Sequence, residues 1–172
     1  ISPNTRIRYT DSLKVGDHSI IDDFCYISTR VQIGFCTHIA SGCTIGGGKR
    51  YLFSIGDFSS VSAGVRIWCT SDDFTNDLVT IIPSGAPEVK TNLIVGDVLL
   101  GNYTAIGANS VIMPDNKIPE GTVIGALSFV PTRFAFQPWS VYAGNPLRLI
   151  GPRNRVAVLE QASRLRQHLE GR

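Results

Sequence analysis

The chain has no apolar run near the roughly 18 residues that a bilayer crossing needs, so no membrane insertion is expected. Its four cysteines include no C-x-x-C pair, which removes the usual zinc-ribbon and dithiol-redox patterns. A net charge of +2 is too small to point to nucleic acid as a partner. Only three histidines occur, His18, His38 and His168, and none is close to another; no metal site is expected from them. No charged start followed by an apolar stretch marks a secretory signal. Reduced thiols then lead to the expectation of a cytoplasmic protein. At 172 residues, 1–172 reads as a single domain.

What the chain does have is a period of six. Val15, Ile21, Ile27, Ile33, Ile39 and Ile45 form one aliphatic run. Ile55, Val61 and Ile67 resume it after a four-residue insertion, and Ile94, Leu100, Ile106, Ile112, Ile118, Ile124 and Val130 complete it. Neither a helix at 3.6 nor a simple strand at 2 has this period. It is the hexapeptide repeat of a parallel β-helix, in which three hexads make one turn and residues eighteen apart stack at roughly 4.8 Å. Glycine often follows the aliphatic, as at Gly16, Gly34, Gly107 and Gly125. A small residue usually stands four places after it, as at Ser19, Cys25, Thr37, Cys43 and Ser110. Cys25 and Cys43 thus share one column, which explains them as core filler.

The repeat spans 15–130 and is interrupted by a loop at 70–92 containing Asp72, Asp73, Asn76, Asp77, Pro83, Gly85 and Pro87. Long loops in compact domains are usually functional or disordered. Residues 1–14 read as an irregular lead-in. The segment 131–172 holds an irregular stretch and then Val156, Leu159, Ala162, Leu165 and Leu169 at helical spacing. This predicts a C-terminal α-helix that caps the open end of the coil. Outward columns such as Ile20, His38, Ser60 and Leu93, Val111, Phe129 are largely apolar, which predicts burial against another chain or the helix.

These hexads, together with "TAIGANSVIMP", the loop "TSDDFTNDL" and the ending "PWSVYAGNPLRLI", resemble the hexapeptide-repeat acyltransferases, in particular the galactoside and lipopolysaccharide sugar acetyltransferase branch. The resemblance covers about residues 15–152. It implies an all-β fold, a left-handed parallel β-helix, although the period alone does not give the hand. It also implies acetyl-CoA as co-substrate and a sugar or nucleotide-sugar acceptor taking acetyl on a hydroxyl or amino group. A role in bacterial surface polysaccharide (O-antigen or capsule) biosynthesis follows, as does a homotrimer with sites in the clefts between neighbouring prisms. Carried over by motif, the backbone of Ala108, Gly125 and Ala126 is expected to meet the pantetheine arm, and Arg148 a CoA phosphate. Many relatives have a histidine five residues after the aliphatic that precedes the loop; counted from Ile67, that place is held by Asp72.

Acyl transfer from a thioester needs a group that takes the acceptor's proton, and histidine suits that task. His38 precedes inward Ile39, so strand alternation turns it outward. It is the expected general base, against a reading as a hydrogen-bonded interface residue. His18, at a turn, is a candidate substrate contact with a lesser claim to be the base, and His168 reads as helix surface. Asp72 and Asp73 either rigidify the loop or bind the sugar. An amine acceptor relaxes the need for a strong base, because neutral nitrogen attacks unaided. Two other readings of the chain compete: a catalytically degenerate, CoA-binding β-helix, and a metal-dependent γ-carbonic-anhydrase-like protein, whose three-histidine set the spacing here does not supply.

Overall fold

The computed structural model describes residues 1–78, 80, 81, 87–89 and 92–170. Pro83 and Gly85 of the expected loop lie outside the described residues. The chain winds as a left-handed parallel β-helix whose three faces are columns of in-register strands. On face 1 Val15 stacks on Ile33, Ile55, Leu100 and Ile118. On face 2 Ile21, Ile39, Val61, Ile106, Ile124 and Tyr142 form six successive rungs. On face 3 Ile7 begins a column through Ile27, Ile45, Ile67, Ile112 and Val130. The side chains of these columns meet inside the prism, where most are at most 5% exposed. Burying aliphatic side chains throughout is the main force holding the coil, at about 1.5–3 kcal/mol each.

The corners explain the rest of the hexad. One corner places His18, Cys36, Phe58, Tyr103 and Trp139 at positive φ; a second does so with Phe24, Asn109 and Leu127. Left-handed backbone is costly for such residues. The ladder offsets that cost, because several of the small side chains donate to a carbonyl of the next coil. Ser19 Oγ reaches Gly34 O at 2.6 Å, Thr37 Oγ1 reaches Gly56 O at 2.8 Å, and Ser110 Oγ reaches Gly125 O at 3.0 Å. Cys25 and Cys43 do the same as thiols, to Ala40 O and Ser62 O, both at 3.2 Å. Gly107 is required by close approach: a Cβ there would lie 2.3 Å from Ala126 N.

Four details depart from the expectation. The ladder starts before residue 15, since Arg6–Ile7 pairs with Tyr26–Ile27, and Ser140–Ala143 extends it past 130. Ile94 is not in the stack. It pairs antiparallel with Ser71 at the neck of the loop, and Arg66 rather than Leu93 stands in the outward column with Val111 and Phe129. The period could not distinguish a neck strand in phase with the coil from the coil itself. Finally, the helix α1 (Arg155–Glu170) does not cap the open end. It runs back along the first corner, burying Ala162, with Arg166 over Phe35 and Phe58 at 5.5 and 5.0 Å. That corner carries a file of rings, His18, Phe35, Phe58, Tyr103 and Trp139, with neighbouring centroids 5.4–5.8 Å apart, and a basic helix face covers it.

Candidate active site

After Trp68 the chain leaves the coil at the corner between faces 3 and 1. Thr70–Ser71 and Ile94–Val95 form an antiparallel neck, and Asp77 ties the loop by accepting from the backbone and side-chain N–H groups of Asn92 at 2.9 and 2.8 Å. Between the neck and face 3 lies a cleft of about 600 Å³, lined by Trp68, Thr70, Ser71, Asp72, Phe74, Met113 and Phe129. It is apolar with one carboxylate at its edge, the makeup of a small-molecule site.

The two loop aspartates differ. Asp73 accepts from the N–H groups of Thr75 and Asn76 at 2.8 and 3.2 Å and from Asn76 Nδ2 at 2.7 Å. These donors hold its carboxyl below the ordinary aspartate value, the side chain of Asn76 contributing most. Asp73 is thus held by donors of the loop, and Asp72 borders the cleft.

His38 is on face 2 and does not line that cleft. Its Nε2 lies 2.8 Å from Asp22 Oδ2, one rung below, and both side chains are about two-fifths exposed. Asp22 was not singled out from the sequence; its signal was its place sixteen residues before His38, one coil away on the same face. Ile20, next to His38 in the outward column, is 53% exposed, and Phe24 and Leu127 at the adjoining corner are each 73% exposed. His18 faces the other way, its ring edge-on to Phe35 at the foot of the ring file.

Ala108 and Ala126 stack at the corner after face 2, where Leu127 N–H donates to Ala108 O at 2.9 Å. Gly125 keeps that corner shallow, since a Cβ there would meet Ala143 Cβ at 2.9 Å. Arg148 is exposed at the start of Arg148–Pro152, which folds back antiparallel on Ser140–Ala143. The three backbone positions and Arg148 therefore share the C-terminal end of face 2, while Asp72 and the His38–Asp22 pair stand on different faces of the one prism. Among the described residues no group of three or more His, Cys, Asp or Glu could hold a metal ion. No helix among them is long and apolar enough to cross a membrane.

No protein-family model matches the chain. The dTDP-4-amino-4,6-dideoxy-D-glucose acyltransferase of Escherichia coli is 30% identical over 151 residues, which span 84% of this chain and 74% of that one. AntD, an N-acyltransferase from Bacillus cereus solved in complex with dTDP and 3-hydroxybutyryl-CoA, superposes with a TM-score of 0.86 at 31% identity, over 97% of this chain and 86% of that one. The maltose O-acetyltransferase of Clostridium difficile 630, at 21% identity and a TM-score of 0.62 over 83% of this chain and 70% of that one, shares the fold.

Proposed function

The chain belongs to the hexapeptide-repeat sugar acyltransferases, and on that premise we propose that it transfers an acyl group, acetyl in the first instance, from coenzyme A to the amino group of a nucleotide-linked amino sugar. The observation that carries this is likeness along 97% of the chain to an N-acyltransferase also solved with dTDP-4-amino-4,6-dideoxyglucose and coenzyme A. The amine nitrogen attacks the thioester carbonyl, the C–N bond forms, the C–S bond breaks, and the nitrogen's proton must leave. Free cysteines fit a cytoplasmic reaction, and the product would feed surface-polysaccharide assembly.

The working assembly is a homotrimer with sites between neighbours. It would bury the stripe of Ile20, Phe24 and Leu127 that one chain leaves exposed. One wall of each cleft then carries His38, oriented by Asp22, as proton acceptor; the other carries Asp72, holding the acceptor, with His18 and Asp73 further from the chemistry. The acyl donor runs along Ala108, Gly125 and Ala126 with a phosphate at Arg148. A sedimentation mass near three times 18.7 kDa is expected, and a monomer mass at micromolar protein would overturn this assembly.

A second reading has its own support. The AntD structures include variants at a serine and at an aspartate ten residues further along. Ser62 and Asp72 stand at that spacing here, as do Ser12 and Asp22, and of the two aspartates Asp72 borders the cleft. Under this reading Asp72 takes the proton and His38 is an interface residue.

The test is thiol release from acetyl-CoA and from 3-hydroxybutyryl-CoA with dTDP-4-amino-4,6-dideoxyglucose, against the sugar bearing a hydroxyl in place of the amine. Release with the amine alone is expected. Equal or greater release with the hydroxyl sugar would overturn N-acylation.

A further inference from the structure

Below the loop, one corner of the coil is strongly cationic on three successive rungs. The first carries Arg6 and Arg8, the second Arg30, the third Lys49 and Arg50, which stand in the bulge that lets Thr29 pair with Gly48 and Arg30 with Leu52. Lys49 is paired with Asp11 at 3.2 Å. Among the described residues no carboxylate forms an ion pair with Arg6, Arg8, Arg30 or Arg50. Arg6, Arg8 and Arg50 rest over Tyr26, Tyr9 and Tyr51, with 5.8–6.0 Å between guanidinium carbon and ring centroid. Arg30 Nη2 donates to Arg50 O at 3.0 Å, which brings these two residues together. Asp97 Oδ1 accepts from Leu52 N–H at 2.9 Å beside the bulge; counting it and Asp11, the corner keeps an excess of positive charge in a chain that is only +2 in all.

Unpaired guanidinium groups held near one another repel, and a ligand with several anionic oxygens relieves that repulsion. The planar fork of arginine suits phosphate oxygens. Extent and position narrow the ligand. The patch covers three rungs, roughly 10 Å, which is too short for a polymer track. It also adjoins the cleft: Gly46 stacks on Trp68, Thr70 Oγ1 donates to Gly47 O at 3.0 Å, and Lys49 and Arg50 follow within three residues. The strand that opens into the cationic bulge thus lies one rung from the cleft floor.

We propose that this corner binds the diphosphate of the nucleotide-linked acceptor, with Arg30 and Arg50 as its main contacts, while the sugar reaches into the cleft beside Asp72. This rests on the acceptor being a nucleotide sugar, and it assigns the residues that would select such a sugar over a free one.

The experiment measures binding of dTDP to the full chain by calorimetry, for the parent, for the double variant Arg30→Gln/Arg50→Gln, and for Arg164→Gln on the exposed helix surface as a control. The parent and the control should bind alike. The double variant should bind at least roughly tenfold more weakly, since charge-assisted hydrogen bonds are lost, with an unchanged melting temperature. In turnover, KM for the dTDP-linked amino sugar should rise while the rate with the free amino sugar stays the same. dTDP binding within twofold of the parent overturns the proposal. So does a patch whose loss abolishes binding to anionic lipid vesicles and leaves dTDP binding intact. If the parent binds dTDP through these arginines yet acylates no amino sugar, the diphosphate site stands and the reaction assigned above fails.

Discussion

His38 and Asp22 stand on successive rungs of face 2 with Nε2 and Oδ2 2.8 Å apart. When Nε2–H donates a hydrogen bond to this carboxylate, Nδ1 keeps the lone pair that can accept a proton. Substituting His38 by alanine should leave the fold intact, because the ring is not core, and lower kcat by roughly 10²–10⁴. Asp22→Asn should cost less, about tenfold, with acceptor KM unchanged. Full activity in a folded His38→Ala variant would assign the proton to another group.

Asp72→Asn separates the two readings of the site. If Asp72 holds the acceptor, its KM rises and kcat stays within about tenfold. A fall in kcat of about 10² or more, with KM steady and His38→Ala active, would make Asp72 the proton acceptor instead.

Arg148→Ala should raise KM for acetyl-CoA and spare kcat. A phosphate contact remote from the thioester carbon is made equally in the ground and transition states. Steady-state kinetics at saturating acceptor give the answer, and a loss confined to kcat would exclude a phosphate contact.

Two substitutions test the coil itself. Ile106→Ala removes a side chain 1% exposed and should destabilise by about 2–5 kcal/mol. Gly107→Ala, one residue on, puts a methyl group against Ala126 N and should cost about 1–3 kcal/mol by overpacking. Urea melts report both. A neutral Gly107→Ala would mean that the corner can open without loss.

The Cys69 thiol gives a pH signature. Burial pushes it up to about 12, from an ordinary value of 9.0. Above pH 9 the unfolded chain sheds this proton while the folded chain keeps it, so unfolding releases protons and stability falls as pH rises toward 12. The alkaline drop in melting temperature should be smaller in Cys69→Ala. An identical drop would show that other groups set it.

The coil was legible because its core rule is one-dimensional: fourteen of the sixteen aliphatic positions are buried, and only Val15 and Ile94 are not fully so. Ile94 misled because a hairpin neck can fall in phase with the repeat by length alone. The helix was legible as a helix, but its docking was not. Amphipathic spacing gives a buried stripe without saying which surface covers it, and that surface is a file of rings contributed by separate coils. The outward orientation of His38 was legible from strand alternation. Its partner Asp22, one rung away on the same face, was missed because alternation gives the side a residue faces and not the neighbour it meets. The cationic corner was hidden by the near-zero net charge, since Arg6, Arg8, Arg30 and Arg50 come together only when coils stack.

Rung-on-rung contacts join residues about eighteen apart, so a coil of this kind could peel from either end one turn at a time. The returning helix changes that. Arg166 meets Asp57 across 109 residues, at 3.1 Å, and reaches Phe35 in the second coil. The helix is thereby fastened to early coils, and fraying of one is felt at the other. Cooperative melting of the whole chain, in place of stepwise unzipping, is the consequence of a helix that lies along the edge instead of over the end.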